Sequence, residues 1–487
     1  MKQNEKGGAG HKRSLYDLSI TLDTDAGTPL YEQIYLHIRN EIRQGKLSKG
    51  SRLPSTRYLA GYLQISRTTV DLAYSQLVSE GYIESSPYRG YYVCGQEELY
   101  HLEPAERITP VRTSASEKTL FCDFSPAGVD LTHFPHATWR KLSREILTGE
   151  DQTFLQLGDP QGEPELRETI AGYLYQARGM NVSPDRIVIG AGNDFLLLLL
   201  VTMLGTGLTY AMESPTYLKA CELLRSFSGR IAEIPNDSAG MLADALKESG
   251  ADIAYVMPSH QFPLGTVMPV GRRMRLLEWA AEKADRYIIE DDYDSEFRYR
   301  GKPIPALQGM DMCDKVIYLG TFSKSIAPAI RISYLVLPEQ LTELYRQRGR
   351  RISSTVSRMD QMVLCEFIRG GYFERHLNRM RSVYKNRHDL LLEELRDFRE
   401  ILRISGENAG SHILLTFQNG MTEEEAVRRA AEAGVGVYGL SRYLISRKED
   451  TGTVLLGYAT VQENQIHDAV QLLRGAWGLK FHENETN

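Results

Sequence analysis

The stretch LGTFSKSIAPAIRISY, residues 319–334, carries the residues that decide how the large part of this chain folds. It begins at the end of a β-type run, Val316–Leu319, and leads into a second apolar run, Ile332–Leu337. Between the two runs lie Lys324, flanked by hydroxyl side chains, and Arg331, seven positions later. A lysine and an arginine at the junction of two buried strands predict a binding site at the edge of a sheet.

Other β-like runs alternate with helical stretches around this one. That alternation predicts an α/β body with a mostly parallel sheet and helices on its faces, in which ligands gather beyond the carboxyl ends of the strands. The predicted strands are Ile187–Gly190, Thr209–Met212, Ile253–Met257, Tyr287–Glu290, Val316–Leu319 and Ile332–Leu337. The run FLLLLLVTML, residues 195–204, is too short to span a membrane and is typical of a buried core helix.

Three further segments place chemically active residues at predicted strand ends. In VIGAGNDFLLLL, the amides of Gly192 and Asn193 open a helix and suit a phosphate, although a plain strand–helix connection has the same pattern. In ESPTY, Tyr217 can stack on a planar ring or simply pack in the core. In IIEDDYDSEF, the acids at 290–292 precede Tyr293. Buried acids need a cationic partner, and a solvated acidic loop is the alternative.

One ligand, pyridoxal phosphate, accounts for all of these residues together. Its aldehyde needs a lysine for a Schiff base, supplied by Lys324, and its pyridine nitrogen needs a carboxylate, supplied by Asp291. We expect Tyr293 to bond the ring 3-oxygen and Tyr217 to cover one ring face. The residues expected around the phosphate are Gly192, Asn193, Thr321, Ser323 and Arg331. Lys324 alone is better explained as a solvated loop lysine, so the prediction depends on the motifs jointly.

The first 95 residues have a different pattern, that of three short helices and a hairpin. Apolar side chains recur every four positions over residues 29–44, at Leu30, Ile34, Ile38 and Ile42. Ser55 can cap a second helix, Thr56–Leu63, and Ser66 a third, Arg67–Glu80. The inner face of the third helix is predicted to consist of Val70, Tyr74, Leu77 and Val78. YIESSPYRGYYVC adds two β-rich runs about a turn, which completes an α+β winged helix-turn-helix.

The start of the third helix, SRTT, is suited to DNA. A recognition helix reads base edges with its first turn, and Arg67 can donate a fork to guanine. The other residues expected to contact DNA are Arg52, Arg57, Ser66, Thr68, Thr69 and, at the wing tip, Arg89. The alternative is a small helical packing domain, since helix caps of this kind are common.

The charge distribution agrees with a nucleic-acid partner for the N-terminal part only. Residues 1–95 hold 12 basic and 9 acidic residues, a net charge of +3, whereas the whole chain carries −6, which leaves −9 for the remainder. A basic segment beside an acidic one favours nucleic acid as the partner of the basic segment.

Longer motifs point to known families. LPSTRYLAGYLQISRTTVDLAYSQLVSEGYI closely resembles the DNA-binding domain of GntR-type bacterial regulators. Residues 119–487 look like a fold type I aminotransferase, and PSHQFPLGTVMP, YIIEDDYDSEFRY, PIPALQG and VIYLGTFSKSIAPAIRISYLVLP resemble the aminotransferase-like half of the MocR family. The resemblance implies a winged helix-turn-helix over 15–95 and a cofactor-binding domain over 119–487 with a smaller C-terminal subdomain. It also implies a homodimer in which each N-terminal domain contacts the body of its partner, head to tail.

The chain departs from these families at two places. Ordinary aminotransferases have Asn-Pro-Thr-Gly where this chain has FPLG at 262–265, so His260 either compensates for the missing asparagine or is structural. The resemblance puts Arg442, in GLSRY, where an arginine holds a carboxylate of the effector. Members that sense GABA have a second arginine where this chain has Lys219, a point charge rather than a fork, which argues against GABA.

The N-terminal segment, the linker and the cysteines indicate in which cellular compartment the protein works. Residues 1–14 lack the apolar core of a signal peptide and are predicted to be a disordered tail, and residues 96–118 read as an exposed linker, with a packed connector as the alternative. Five cysteines occur singly, which argues against disulfides or a metal site and favours the cytoplasm. No apolar run reaches the length of a membrane span.

The leading hypothesis is a cytoplasmic transcriptional regulator that senses an amino compound through pyridoxal phosphate. The amine displaces Lys324 to form an external aldimine, Arg442 and Lys219 hold its acid group, and closure of the small subdomain repositions the DNA-binding domains on operator DNA. The first rival is a catalytically active aminotransferase with a DNA-binding appendage, which the missing asparagine disfavours. The second rival is a DNA-binding protein whose body only dimerises.

Overall fold

The computed structural model describes residues 20–24, 27–94, 120–148, 155–227, 229–299, 304–398, 401–446 and 449–478. The chain divides into two units, Met1–Ser116 and Glu117–Asn487. We call the first unit the head and the second the body. The predicted tail at 1–14 and the predicted linker at 96–118 lie outside the described residues.

The head has three helices and a β-hairpin, as predicted. The elements are helices Leu30–Arg43 (α1), Thr56–Leu63 (α2) and Arg67–Ser79 (α3), and the antiparallel strands Ile83–Ser86 (β1) and Gly90–Val93 (β2). Helix α2 begins where the Tyr58 amide donates to the Ser55 hydroxyl. Helix α3 begins where the Thr69 amide donates to the Ser66 hydroxyl. Between the two helices Gln64 adopts a left-handed backbone, φ 54°, which turns the chain.

The core of the head lies where α1 packs on α3. Ile34, Ile38 and Val70 have no exposed surface. The predicted inner face of α3 was wrong at Val78, which is 36% exposed, and Ala73 is fully buried instead. Adjacent residues on a helix are about 100° apart, so Val78 lies at the margin of the stripe that runs through positions 70, 73, 74 and 77.

An eight-stranded sheet forms the centre of the body. Its strands are Ile187–Gly190 (β4), Thr209–Ser214 (β5), Arg230–Asp237 (β6), Gly240–Met241 (β7), Ile253–Val256 (β8), Tyr287–Asp292 (β9), Val316–Thr321 (β10) and Ser333–Val336 (β11), and the short strand Cys122–Asp123 (β3) precedes them outside this sheet. The strand order is β4-β11-β10-β9-β8-β5-β6-β7. Strands β5, β6, β8, β9 and β10 are parallel, and β11 is antiparallel to both neighbours. The predicted mostly parallel α/β sheet is therefore confirmed.

Helices cover both faces of this sheet. The helices of the body are His136–Thr148 (α4), Pro164–Arg178 (α5), Asn193–Leu204 (α6), Leu218–Ser226 (α7), Ala243–Glu248 (α8), Val270–Ala281 (α9), Glu339–Gln347 (α10), Arg358–Arg369 (α11), Tyr372–Glu394 (α12), Glu423–Glu432 (α13) and Glu463–Trp477 (α14). Of these, α13 and α14 pack on strands near the C-terminus instead of on this sheet. Helix α6 contains the apolar run 195–204, and Leu196, Leu199 and Leu200 are buried against the sheet. The core-helix prediction for this run is confirmed. No helix in the described ranges is long and apolar enough to cross a membrane.

A second, smaller sheet follows near the C-terminus. Its strands are Leu402–Ser405 (β12), His412–Phe417 (β13), Tyr438–Gly439 (β15) and Thr453–Gly457 (β16), in the order β12-β13-β16-β15, and Val435–Gly436 (β14) pairs in parallel with β3. The indole N–H of Trp477 donates to the Ala426 carbonyl at 3.0 Å and joins α14 to α13. These elements form the smaller C-terminal subdomain of the body.

The register of the large sheet sets the position of the chemical residues. Strands β9 and β10 run in parallel, with Asp291 opposite Leu319 and Asp292 opposite Gly320. The acids at the end of β9 therefore lie beside the segment that carries Lys324 after β10. Because β11 and β4 are adjacent, the turn between β4 and α6 lies next to Arg331, which precedes β11.

Candidate functional site

A cavity of about 240 Å³ lies at the carboxyl ends of β9 and β10. The residues predicted from the sequence that line it are Asn193, Tyr217, Lys219, Asp291, Tyr293, Thr321, Ser323, Lys324 and Arg331. Residues from four separate stretches of the chain thus meet in one place. Two predicted residues are not among the described residues that line it: Gly192, which lies behind Arg331, and Arg442.

The turn into α6 is shaped by Gly192. Its φ of 92° is one that L side chains rarely adopt, and a Cβ there would lie 2.2 Å from Nη2 of Arg331. Glycine therefore lets the guanidinium approach the backbone closely. The Gly192 amide donates to the Gly190 carbonyl at 2.8 Å, so it is engaged within the turn. The first amides of α6, from Asn193 onward, have no intrahelical acceptor and remain for a ligand.

Arg331 and Ser323 face the same corner of the cavity. Arg331 Nη2 donates to the Ala191 carbonyl at 3.2 Å and lies 3.5 Å from the Asp194 carboxylate. Ser323 Oγ is buried and has no hydrogen-bond partner within the described residues. The Thr321 hydroxyl accepts from Ser333 Oγ at 2.8 Å and from the Ser323 amide at 3.1 Å. The corner thus combines a cation, helix amides and an unpartnered hydroxyl, which is the composition of an anion site.

Lys324 lies between the end of β10 and the segment that follows β3. Its Nζ donates to the Ala127 carbonyl at 2.9 Å and lies 3.4 Å from the Pro126 carbonyl. Burial lowers the pKa of the Lys324 ammonium group to about 8, against an opposing effect of the Asp294 carboxylate. A neutral amine, the nucleophilic form of lysine, is therefore accessible near neutral pH.

The acids at the end of β9 are buried, so the alternative of a solvated acidic loop is wrong. Asp291 accepts from the Tyr255 hydroxyl and from Nδ2 of Asn193, the latter at 3.3 Å. Burial raises the pKa of Asp291 to about 7, although the hydrogen bond from Tyr255 acts in the opposite direction. Asp292 has the cationic partner that burial requires, since Nε of Arg178 lies 2.8 Å from its carboxylate.

Aromatic side chains form the apolar wall of the cavity. The ring of Phe262 is edge-on to Tyr217, with centroids 6.3 Å apart, and edge-on to Tyr293 at 6.0 Å. Position 262 thus supplies packing instead of the hydrogen bond that an asparagine would make. The Tyr293 hydroxyl lies 2.9 Å from Nδ1 of His260, which is almost fully buried.

The two predicted effector-binding residues are in different surroundings. Lys219 lines the cavity, and its Nζ forms an ion pair with the Asp194 carboxylate at 3.0 Å. Arg442 is exposed, and its guanidinium carbon lies 5.7 Å from the ring centroid of Tyr438. The two cations are therefore not brought together in this conformation.

Sequence reasoning missed three residues that contact the site. Asp194 lies between Arg331 and Lys219, and its place directly after Asn193, in the first turn of α6, was the available signal. Tyr255 and Arg178 hold Asp291 and Asp292. Both lie in stretches without an unusual motif, and only the pairing of β8 with β9 brings Tyr255 near.

The head presents most of its predicted DNA-contacting residues to solvent. Exposed side chains are Arg52, Arg57, Ser66, Arg67, Thr68 and Arg89, and Thr69 is partly buried. Arg67 Nε lies 3.5 Å from the Asp71 carboxylate on the next turn. Sequence reasoning missed Tyr88, a fully exposed aromatic residue with φ 62° in the turn between β1 and β2.

Comparisons with known proteins match both units. A family model described as "Aminotransferase class I and II" matches residues 129–472, and one described as "Bacterial regulatory proteins, gntR family" matches residues 30–93. The probable rhizopine catabolism regulatory protein MocR of Rhizobium meliloti is 32% identical over 482 residues, which cover 94% of this chain and 96% of that protein. The chain belongs to the MocR family of bacterial transcriptional regulators.

Other relatives of this MocR-family regulator agree. The uncharacterized HTH-type transcriptional regulator YdeL of Bacillus subtilis is 39% identical over 464 residues, covering 95% of this chain and 100% of that protein. Among solved structures, the kynurenine aminotransferase of Pyrococcus horikoshii, in complex with PMP, has a TM-score of 0.67 and 28% identity over 75% of this chain and 93% of that chain. The predicted family and the fold type I aminotransferase-like body are confirmed.

Proposed function

We propose that this MocR-family regulator holds pyridoxal 5'-phosphate in the cavity of the body, binds operator DNA through its head, and alters transcription when an amino compound reaches the cofactor. The observation that carries the proposal is the convergence of Lys324, Asp291 and Arg331 on a single cavity. These are the charges that the cofactor needs at its aldehyde, its pyridine nitrogen and its phosphate.

The residues at the ring end fit the cofactor. Burial lowers the pKa of Lys324 to about 8, so roughly a tenth of the side chain is the neutral amine at pH 7, far more than for an exposed lysine. Asp291 is buried with a pKa near 7, and its described partners are the neutral groups of Tyr255 and Asn193. A protonated pyridine nitrogen supplies the opposite charge that this carboxylate lacks. Tyr217 and Phe262 exclude water beside the ring.

The residues at the phosphate end also fit. Ser323 Oγ is buried without a partner in the described part of the chain, and its hydroxyl can donate a hydrogen bond to a phosphate oxygen. The first amides of α6, beginning at Asn193, donate along the helix axis toward an anion. Arg331 adds charge-assisted hydrogen bonds, and Gly192 leaves the room that its guanidinium occupies. Thr321 completes this corner.

The cofactor, when bound, supplies an electrophilic carbon for amines and an electron-withdrawing ring. The chain's own residues orient what enters. Lys219 attracts the acid group of an effector, which competes with Asp194 for the same ammonium group. Arg442 meets that acid group from the smaller subdomain by turning away from Tyr438. As a free amine, Lys324 would hold or donate a proton beside the ring.

The head is the proposed DNA-binding domain, within boundaries of 15–95, and 119–487 is the proposed cofactor-binding domain. Arg67 reads base edges, and the other proposed contacts are Arg52, Arg57, Ser66, Thr68, Thr69 and Arg89. The exposure of these side chains supports the assignment, although Thr69 is only partly exposed. The proposal includes a cytoplasmic homodimer in which each head contacts the partner's body.

The test combines a visible spectrum with DNA binding. We expect purified protein given pyridoxal phosphate to develop an absorbance band that an amine or amino acid shifts, and we expect the same compound to change the affinity for operator DNA. Lys324→Ala removes both the shift and the response of DNA binding. Lys315→Ala is the matched control, because Lys315 bonds the carbonyls of Lys283 and Ala284 and lies outside the cavity lining in the described residues.

Three outcomes separate the competing functions. A colourless wild type contradicts the cofactor proposal and favours a body that only dimerises. Rapid multiple turnover with an amino donor and a 2-oxo acid favours an aminotransferase that carries a DNA-binding head. A shifted band without product, together with altered DNA binding, supports the sensor.

A further inference from the structure

A buried polar triad lies behind the wall of the cavity. Tyr293 lines the cavity, and its hydroxyl lies 2.9 Å from Nδ1 of His260. The same Nδ1 lies 2.9 and 3.1 Å from the two carboxylate oxygens of Asp294. His260 and Asp294 are each 3% exposed, so these contacts are shielded from water.

The imidazole ring of His260 is held in one orientation by its surroundings. A Cβ at Gly410 would lie 2.1 Å from Cε1 of His260, and one at Gly265 would lie 3.4 Å from Nε2. The ring stacks on Tyr293, with centroids 6.0 Å apart and an interplanar angle of 29°. Two glycines thus form a slot that fits a flat ring and directs Nδ1 toward Tyr293.

The hydrogen-bond partners determine the tautomer. A carboxylate only accepts, so Asp294 places a proton on Nδ1. Nε2 of His260 is buried and has no partner among the residues that the structure describes, so a doubly protonated ring would bury an unpartnered N–H. The neutral Nδ1–H form follows. Its N–H is shared between Asp294 and the oxygen of Tyr293. The tyrosine's own proton then has two possible directions, toward the Asp294 carboxylate or into the cavity.

The same contacts keep that proton in place. Burial, reinforced by the Asp294 carboxylate, holds the pKa of Tyr293 well above its usual value, so the hydroxyl remains a donor. Asp294 also competes as an acceptor for this proton, and the Nδ1–H of His260 weakens the competition by occupying the carboxylate. Phe262, which is edge-on to Tyr293, has no group that could donate a hydrogen bond in place of the tyrosine.

We propose that His260 and Asp294 form a positioning pair that directs the hydroxyl proton of Tyr293 at the ring oxygen of the bound cofactor. The inference rests on the proposed function, since it requires pyridoxal phosphate in the cavity. The pair touches neither cofactor nor effector and acts through Tyr293. A hydrogen bond donated to an anionic ring oxygen stabilises the charge there and lowers the proton affinity of the conjugated ring system.

The other titratable groups near the triad have fixed roles. The ring of His412, on β13, has its centroid 5.7 Å from that of His260 and is tilted by 51°, and burial lowers the pKa of His412 to about 4, so it stays neutral. Lys324 and Asp291 face the cavity from β10 and β9. The Asp294 carboxylate raises the pKa of both groups, so among single variants His260→Asn, which leaves that charge in place, reports on the triad.

The test is a pH titration of the visible band of full-length protein loaded with pyridoxal phosphate. The isosteric Asp294→Asn also removes a carboxylate that raises the pKa of Lys324 directly, so its effect is compared in backgrounds with and without the Tyr293 hydroxyl. We expect His260→Asn to raise the midpoint by about 0.5 to 1 pH unit, the size that loss of one hydrogen bond predicts. Tyr293→Phe should raise it at least as much. In the Tyr293→Phe background, His260→Asn should add nothing, because the residue through which it acts is gone. His388→Asn is the matched control: His388 is also buried and paired with a carboxylate, that of Asp389, and is not among the described lining residues.

The outcomes distinguish this inference from the one on which it rests. A wild type without a visible band ends the cofactor proposal and this one with it. A normal band that titrates identically in wild type and His260→Asn overturns the positioning role alone. The positioning role is also overturned if His260→Asn shifts the midpoint equally in the wild-type and Tyr293→Phe backgrounds, since His260 would then act by another route. If His260→Asn unfolds, Asp294→Asn decides by comparison with the same change in the Tyr293→Phe background: its direct effect on Lys324 is present in both, so equal shifts overturn the positioning role.

Discussion

Two helices of this protein begin in ways that suit a bound anion, α3 in the head and α6 in the body. Helix α3 supplies its own cap: the Thr69 amide donates to Ser66 Oγ at 3.2 Å, and the two hydroxyls lie 2.8 Å apart. At the start of α6, Gly192 has no side chain to offer, and Arg331 lies against it. The positive end of the helix dipole favours negative charge at both places.

The two helix starts differ in which hydrogen-bonding groups remain without a partner. A serine cap contributes about 1 kcal/mol and satisfies an amide of α3 without DNA, while Arg67 and Thr68 are exposed. The body instead has an uncapped helix and a buried Ser323 hydroxyl without a partner in the described residues. A charge-assisted hydrogen bond contributes about 1.5 to 3 kcal/mol, so several of them favour a tightly held phosphate. We infer that one helix start is built to sample ligands and the other to retain one.

Removing the cation at the body site should have the largest effect on this comparison. We expect Arg331→Ala to weaken binding of pyridoxal phosphate at least 100-fold, because it removes about two charge-assisted hydrogen bonds. Titration of the apo-protein followed by absorbance measures the change. Arg67→Ala is the control, since it removes an arginine from the other helix start and should leave cofactor affinity unaltered. If Arg331→Ala binds the cofactor as tightly as the wild type, Arg331 does not hold the phosphate, and the start of α6 is not the anion site proposed here.

The glycine at the start of α6 allows a sharper test, because the same helix ends at a second glycine with similar backbone geometry. Gly192 and Gly205 have φ of 92° and 96°, so alanine at either position should cost about 1 to 3 kcal/mol of stability. Only at Gly192 would the new Cβ meet Arg331, at 2.2 Å; nothing lies within 4 Å at Gly205. We therefore expect about 30-fold weaker cofactor binding in Gly192→Ala alone, equivalent to about 2 kcal/mol. Equal affinities in the two variants would mean that Arg331 simply moves aside.

Much of this contrast was readable from the sequence. Periodicity and turn residues located all six predicted strands of the large sheet, with ends shifted by no more than two residues. The capping serines at 55 and 66 fixed where α2 and α3 begin. Lys324, Asp291 and Arg331 were recognised as one site because strand ends of a parallel sheet meet at one edge. These inferences use local pattern and one topological rule.

What the sequence did not reveal depends on contacts between distant positions. The sequence predicted Arg331 and Gly192 around one phosphate, but the close packing of the guanidinium against the glycine joins residues 139 positions apart and was not predicted. Arg178 forms an ion pair with Asp292, which is distant in sequence. The orientation of the His260 ring depends on the space left by Gly410. Val78 was misjudged because a helical period does not define how wide the buried stripe is. Arg442 was assigned to the effector by resemblance, and its contact with the ring of Tyr438, four residues earlier, was not predicted.

In the head, substitution of Arg67, the arginine of SRTT, should separate sequence-specific from non-specific DNA binding. We expect Arg67→Ala to weaken binding to the operator about tenfold, by loss of a base contact, with little change for unrelated DNA. Its exposed ion pair with Asp71 adds little to stability, so the fold should be retained. Arg57→Ala, a backbone contact, should weaken both kinds of DNA alike. Binding curves at fixed salt decide, and an unchanged preference in Arg67→Ala would assign the reading to another element.

The smallest effect belongs to the cap itself. Ser66→Ala should cost about 1 kcal/mol at the start of α3, seen as faster amide hydrogen exchange in the first turn of that helix within the full-length protein. Ser55→Ala is the parallel change at α2 and should leave exchange in α3 near normal. Ser66→Asp restores the cap but adds negative charge where DNA phosphates approach, so it should recover slow exchange and still bind DNA weakly. If Ser66→Asp restores DNA binding as well, the start of α3 does not face the DNA phosphates. The starts of α3 and α6 would then share a helix N-terminus but not a role in binding anions.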